Sequence, residues 1–390
     1  MRIVRAELQG FRNLAPCRIE FSPRVNLLLG RNGMGKTNLL EALAFFALGR
    51  SHRGARLEDI VAFDAEALHV RIELEETEGA LVSCELGLDR EGGKRLRLDG
   101  DLVKRRADLV GRLITVFFNP DSIRLVRGGP SRRRQFVDQG QAELDPLYLD
   151  HLLALQRVIR QKTALLRDLR RGVADPAAGR AELRAWNKEL AGHAAAVCIG
   201  RAHYASQLTD PAGEFYNKLT DNDLEFTCRY RPKLACLRDL DPENTEQTVS
   251  IDTLAEDIRR EIDYIMGTEI NSGRPLTGPQ MDDFEIRADD LDLRVFGSQG
   301  ETRSAAISLI MARSEVLYRK RRIRPVLFFD DIFSELDRER TRRLQDMATR
   351  SHQVFVATAR DDDVDGWRPA GRRIWRVTEG RLSEETAETS

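Results

Sequence analysis

The chain has 390 residues, 41% hydrophobic and 32% charged, which is enough for two domains with buried cores. Its 62 Lys and Arg against 63 Asp and Glu give a net charge of −1, so no global basic field marks a nucleic-acid binder and any such contact must use a local patch. Five scattered cysteines without C-x-x-C spacing (Cys17, Cys84, Cys198, Cys228, Cys236) read as free thiols in a reducing compartment, and no apolar run approaches the ~20 residues of a bilayer span.

The charged, alternating start from Met1 to Leu8 reads as a strand and not as a signal peptide, which makes the cytoplasm the expected location. Val25-Asn26-Leu27-Leu28-Leu29 follows as a short buried strand. It runs into Gly30-Arg31-Asn32-Gly33-Met34-Gly35-Lys36-Thr37, which fits the Walker A pattern G-x-x-x-x-G-K-[ST]. Asn38 to Leu43 then opens a helix. A strand, a glycine-rich turn and a helix N-terminus together aim backbone N–H groups at a polyphosphate. Residues 30–37 are therefore the expected cradle of a nucleoside triphosphate. Lys36 is placed to neutralise its β- and γ-phosphates, and the Thr37 hydroxyl to hold Mg²⁺.

Ala67–Leu74 and Val82–Leu88 alternate with period two, and Lys94–Gly100 adds an edge closed by an Asp99-Gly100 turn. Leu113–Phe118 is a buried strand. From about 130 to 270 the pattern turns helical and highly charged. Tyr148, Leu152, Leu155, Ile159, Lys162, Leu166 and Leu169 step by four and three, as a coiled-coil seam does. A breaker at 173–179 separates this run from Leu183, Trp186, Leu190, His193 and Val197. The expected product is an antiparallel helical hairpin of about three heptads, a stub and not a long arm, with His193 packed or hydrogen-bonded on its seam. Strands return from about 276. The tail from Ser383 is polar and reads as unstructured.

A P-loop needs a carboxylate for Mg²⁺ at the end of a neighbouring apolar strand, and Val326-Leu327-Phe328-Phe329-Asp330-Asp331 supplies it. Asp330 is the expected second Mg²⁺ partner, and Asp331 is placed to orient or deprotonate the attacking water. Ser334-Glu335-Leu336-Asp337 follows, as a D-loop does in ATPases of the ABC class. Phe296-Gly297-Ser298-Gln299-Gly300-Glu301 resembles an ABC signature, with Ser298 ahead of a helix start that in the ABC arrangement acts across a dimer. The blander alternative is a serine that caps a surface helix. The expected architecture is α/β: an ABC/SMC-like P-loop ATPase head from 1–120 and 276–390, with an inserted, mainly helical domain at 121–275.

These blocks resemble the RecF family nearly end to end. Gly10-Phe11-Arg12-Asn13 matches its N-F-R-N after the first residue, and Gly49-Arg50-Ser51-His52-Arg53 is similar to its G-R-S-F-R. Leu125-Val126-Arg127-Gly128-Gly129-Pro130-Ser131-Arg132-Arg133-Arg134-Gln135-Phe136-Val137-Asp138 resembles its L-V-K-G-x-P-x-x-R-R-x-F-L-D. Gln280-Met281 replaces the family's His-Arg before Asp282-Asp283. Gln161-Lys162-Thr163 stands for Q-R-N, and Glu301 stands where glutamine is common. The resemblance implies ATP binding, ATP-dependent homodimerisation around two nucleotides, slow hydrolysis, and DNA binding at gaps or junctions. It also implies partnership with RecR and RecO in loading RecA. Basic clusters at Lys104-Arg105-Arg106, Arg132-Arg133-Arg134 and Lys320-Arg321-Arg322 are equally DNA contacts or scaffold. Two other functions compete. An ABC transporter's energy-coupling subunit is disfavoured by the long helical insertion and by Val356-Ala357-Thr358, a switch strand without histidine. A nucleotide-stabilised scaffold stays open, because Asp331 is shorter than the glutamate common in ABC ATPases.

Overall fold

The computed structural model describes the chain except for residues 49–50, 52–54, 57, 77–78, 104–112, 239–249, 334–335, 350–351, 361–366, 368–370 and 386–390. Lys104 to Arg106, most of the Gly49 to Arg53 block, and Ser334-Glu335 of the expected D-loop lie outside the described residues. Strands are numbered β1–β15 and helices α1–α9 in chain order. The chain divides into two compact units: Met1–Ser122 with Lys218–Thr220 and Leu317–Ser390, and Ile123–Asn217 with Asp221–Val316. The expected boundary at 276 is therefore not where the units part. Residues 276–316 belong with the helical unit, because their strands pair there with a strand the helical pattern had hidden.

The first unit carries two sheets. An antiparallel one has the order β2-β1-β4-β5-β6-β7, built from β1 (Arg2–Gln9), β2 (Cys17–Glu20), β4 (Ala67–Glu75), β5 (Leu81–Asp89), β6 (Lys94–Leu98) and β7 (Asp101–Leu102). The second has the order β15-β14-β3-β13-β12-β8, from β3 (Val25–Leu29), β8 (Thr115–Phe118), β12 (Val326–Asp330), β13 (Val354–Thr358), β14 (Arg373–Thr378) and β15 (Arg381–Glu385). β8, β12, β13, β3 and β14 run parallel in it. The strands β3, β12 and β13 are buried throughout, as parallel strands covered on both faces should be. Helix α1 (Lys36–Leu48) is apolar around its circumference, and one core joins its Leu39, Leu43 and Phe46 to Ile3, Val70, Leu28, Phe328 and Phe355 of the two sheets. Helix α9 (Arg338–Thr349) also belongs to this unit. Ser383, expected in an unstructured tail, instead pairs with Arg376 in the β14–β15 hairpin. Polar side chains do not prevent a strand whose backbone finds a partner.

The second unit holds α2 (Arg124–Arg127), α3 (Pro130–Leu144), α4 (Pro146–Arg171), α6 (Ile251–Tyr264), α7 (Met266–Ser272) and most of α5 (Pro176–Thr220) and α8 (Gln299–Arg321). A small sheet of order β11-β10-β9 joins them, from β9 (Phe226–Arg231), β10 (Asp283–Ala288) and β11 (Leu291–Asp292). The expected hairpin is α4 and α5. Gly172 ends α4 in the left-handed region at φ 71°, and Asp175 caps α5 by accepting from the Ala177 and Ala178 amides ahead of Pro176. The seam runs as read through Tyr148, Leu152, Leu155, Lys162 and Leu166, although the fully buried residue on its fourth step is Val158 and not Ile159. Gly200 is required where α5 meets α4, since a Cβ there would lie 2.5 Å from the Tyr148 ring.

Lys162 is buried on that seam and pairs with the equally buried Glu269 of α7 at 2.7 Å. Glu269 also accepts from the Leu276 amide at 2.9 Å. His193 is hydrogen-bonded, with its Nδ1 3.0 Å from Nδ1 of His151. That bond needs one neutral ring as acceptor. Burial, then the neighbouring His151, holds His193 below the ordinary histidine value. The pair therefore stabilises the fold fully above the unfolded histidine pKa and loses that contribution as pH falls through the lower, folded one.

Two measurements check this packing. Glu269→Ala should cost about 3–5 kcal/mol in chemical denaturation by stranding a buried ammonium, while the joint change Lys162→Met with Glu269→Leu recovers most of it. Replacing His193 by Asn should flatten the loss of stability on acidification below about pH 6.5, read as the difference from the parent chain at each pH.

Candidate nucleotide site

Parallel pairing sets the site. In register, Leu28 stands beside Ala357 and Leu29 beside Thr358, while Ala357 stands beside Asp330. Three strand ends, β3, β13 and β12, therefore open at one edge. This is the edge at which α/β sheets bind ligands. Residues 30–35 leave β3 there and turn into α1.

The turn can only be made by these glycines. Gly30 has φ 156° and Gly35 φ 114°, and a Cβ on Gly30 would lie 2.2 Å from the Val377 carbonyl oxygen. The Lys36 ammonium folds back onto the loop and donates to the Gly30 and Arg31 carbonyls at 2.6 and 3.0 Å. Burial holds Lys36 below the ordinary lysine value against the opposing pull of Asp331 and Asp330. Both carboxylates thus act electrostatically on the ammonium that was expected to meet the phosphates. The Thr37 hydroxyl donates to Asp330 Oδ1 at 2.8 Å, so the two expected Mg²⁺ partners, 293 residues apart in sequence, are in contact. Asp331 leaves the strand in the left-handed region, φ 53°, with its amide bonded to the Ala357 carbonyl at 2.9 Å. A non-glycine residue in that region at a strand end is the sort of local strain found at functional sites.

Sequence reading missed what braces the loop from outside. Asn13 donates to the Gly33 carbonyl at 3.2 Å and accepts from Asn38 at 2.7 Å. The β14–β15 turn closes the other side, its Gly380 amide donating to the Met34 carbonyl at 2.9 Å while its carbonyl accepts from Ala15 at 3.0 Å. Gly380 has φ 77°, and a Cβ on it would lie 1.8 Å from the Asn13 carbonyl oxygen. Nothing local to the Glu379-Gly380 pair says what this turn would touch. Arg12 clasps the fully buried Glu41 of α1 through two bonds, at 2.7 and 3.0 Å, and Ser51 donates to the same carboxylate.

Ser298 lies in the second unit. It and Glu301 form a capping box at the start of α8: the Ser298 amide donates to the Glu301 carboxylate at 2.8 Å, and the Ser298 hydroxyl accepts from the Glu301 amide at 3.2 Å. The capping role weighed from sequence is therefore present. Ser298 remains exposed. Glu301 fills the place where glutamine is common because either side chain completes this box. Of the cluster at 132–134, Arg133 is buried and paired with Asp283 at 2.7 Å, and Arg134 donates to the Asp282 carbonyl at 2.6 Å, so both serve the scaffold. Lys320, Arg321 and Arg322 are exposed at the C-terminal end of α8, where the helix dipole favours cations.

Residues 2–379 match the family model described as RecF/RecN/SMC N terminal domain. The DNA replication and repair protein RecF of Ligilactobacillus salivarius is 30% identical over 389 residues, covering 100% of this chain and 99% of that protein. RecF of Heliobacterium modesticaldum is 31% identical over 384 residues, covering 98% and 99%. Among solved structures, the recombination mediator protein RecF-ATPrS in the RecFOR pathway superposes with a TM-score of 0.87 at 25% identity, covering 99% of this chain and 98% of that one. The RecF-ATP structure gives 0.86 at 25%, covering 98% and 97%. An SMC head bound to the C-winged helix domain of ScpA shares the fold alone, with a TM-score of 0.58 at 17% identity over 100% and 98% of the two chains. The fold is thus the α/β head of RecF and SMC proteins. Among the described residues no helix is long and apolar enough to cross a membrane.

Gly380→Ala tests the outer brace without touching the residues assigned to phosphate. It should lower stability by about 2 kcal/mol or more and weaken binding of a fluorescent nucleoside triphosphate, with melting and titration as the two readouts.

Proposed function

The chain belongs to the RecF family, and from that premise we propose that it is an ATP-dependent, DNA-binding recombination mediator. In this reading ATP binding drives dimerisation on DNA, and slow hydrolysis releases the dimer. The observation that carries it is the 2.8 Å bond between Thr37 and Asp330, which joins residues of the two expected motifs at one strand edge, with Lys36 under the electrostatic pull of Asp331 and Asp330. The ATP-bound relatives of the same fold support the choice of nucleotide.

Each residue has a role that its placement allows. Gly30 to Gly35 present the phosphate cradle, and Lys36 exchanges its two carbonyl partners for the β- and γ-phosphates. Thr37 and Asp330 offer two hard oxygens already in contact, a donor set that fits Mg²⁺, which usually takes one or two protein oxygens and the rest from phosphate and water. Bound there, Mg²⁺ supplies neutralisation of the phosphate charge. Asp331, held in its turn and acting electrostatically on Lys36, orients or deprotonates the attacking water. Ser298, exposed at a helix N-terminus, meets the nucleotide held by Lys36 of a second copy. DNA gaps or junctions, RecR and RecO as partners, RecA loading in repair and replication restart, and a cytoplasmic location complete the reading by family resemblance.

A second reading keeps the same site without useful turnover, as a nucleotide-stabilised scaffold for DNA or partners. It is favoured by Asp331 itself, a short carboxylate on a backbone pinned to Ala357.

Solution mass separates these outcomes. The protein is measured with ADP, with ATP, and with ATP for Lys36→Met and Ser298→Arg, each with and without gapped duplex DNA. A dimer that forms only with ATP, is lost in both variants and retains gapped DNA is the expected result. A monomer indifferent to nucleotide, with no DNA retained, would sink the proposal; a normal dimer whose ATP turnover stays at the uncatalysed rate would leave the scaffold reading.

A further inference from the structure

The dimer reading above depends on the turn at Ser298, and one arginine holds that turn from the side. Gly297 is buried between two exposed residues, Phe296 and Ser298. The Arg127 guanidinium donates to the Gly297 carbonyl at 2.9 Å across 170 residues of chain. At its Cα the turn has no room to give, because a Cβ on Gly297 would lie 2.6 Å from the Leu293 carbonyl oxygen and 2.9 Å from Thr302 Cγ2.

Arg127 is itself anchored. It ends α2, a four-residue helix too short to persist alone. Arg133 fixes that helix by donating to the Val126 and Gly128 carbonyls at 2.9 and 2.7 Å, and it is locked in turn by two bonds to Asp283 at 2.7 and 3.0 Å. Asp283 also receives Arg294, on the approach to the turn, at 3.5 Å. The capping box already starts α8, so Arg127 is not needed to cap the helix. Its bond instead fixes where the carbonyl before Ser298 points, and through it the direction of the Ser298 amide.

We propose that Arg127 is a positioning residue that holds the signature turn so that Ser298 and the first amides of α8 meet the nucleotide of a second copy. Asp283 and Arg133 are its foundation. This gives a structural task to the aspartate of the Asp282-Asp283 pair that survives beside the altered Gln280-Met281.

The test compares Arg127→Met, which removes the donor, with Arg127→Lys, which keeps a charged one. Dimerisation with ATP is measured by sedimentation equilibrium. The affinity of a fluorescent ATP analogue is measured on dilute monomer. Arg127→Met should weaken the ATP-dependent dimer about 10–100-fold, the range for a lost charged hydrogen bond, with nucleotide affinity within about twofold. Arg127→Lys should restore most of the loss. Gly297→Ala presses on the same turn through Leu293 and Thr302 and should weaken the dimer likewise. Arg127→Met dimerising at full strength overturns the inference. So does an Arg127→Met that unfolds while Gly297→Ala dimerises normally. Parent protein that stays monomeric with ATP, or Ser298→Arg that still dimerises, overturns the dimer reading and this inference with it. A parent dimer that needs Ser298 but is indifferent to Arg127 overturns the inference alone.

Discussion

The parallel register of β3, β13 and β12 is the constraint on which the nucleotide site depends. Backbone pairing of Leu28 with Ala357, and of Ala357 with Asp330, places the ends of β3 and β12, distant in sequence, on either side of β13 at one edge. Apolar burial of all three strands stabilises that pairing, and a register slip of one residue would turn the Asp330 side chain to the other face. The Thr37–Asp330 bond is the visible result. The glycines of the loop then serve a narrower purpose, letting the backbone pass the Val377 carbonyl and turn into α1.

Charge in this protein is used inside as well as outside. Arg12 with Glu41, Lys162 with Glu269, and Arg201 with Asp138 and Asp282 are all buried or nearly so. Such pairs contribute little net stability against an apolar alternative, but each is costly to break because the partner is left charged in a poor solvent. Around Asp282 the arrangement is dense: Arg201, Tyr230 and the Lys233 amide all donate to it. Burial pushes the Asp282 carboxyl up, against the opposing pull of Arg201. Cys198, close by and wholly buried, is pushed up as well, chiefly by burial, and is no reactive thiol. The Asp282-Asp283 pair is thus a structural hub of the helical unit.

The departures from the family pattern become intelligible in the same terms. Lys162, standing for arginine, is itself a point charge and meets one Glu269 oxygen at 2.7 Å, while the other accepts from the Leu276 amide, so no guanidinium fork is needed. Gln280 donates to the Thr277 carbonyl at 2.7 Å, while Met281 is substantially exposed. Both changes lie in the helical unit, whereas Lys36 and Asp330 belong to the other one.

Local chemistry was legible without coordinates wherever a motif is written in consecutive residues. Walker A, the apolar strand ending in Asp330-Asp331, the hairpin breaker at 173–179 with Asp175, and the Asp99-Gly100 turn depend on backbone preferences that neighbours in sequence determine. The seam of α4 was legible because helical periodicity repeats its own evidence. What the sequence left undecided were relations between distant segments. Strand β9 lay concealed in a helical stretch, since only its pairing with β10 makes Phe226 to Arg231 extended, and that pairing drew residues 276–316 into the helical unit. Likewise a run of three arginines gives no sign that Arg133 is buried on Asp283, nor does Glu379-Gly380 reveal that it braces the phosphate loop. Periodicity and motif report on a residue's own backbone; burial and partnership belong to whichever distant chain arrives beside it, and only the tertiary structure decides that.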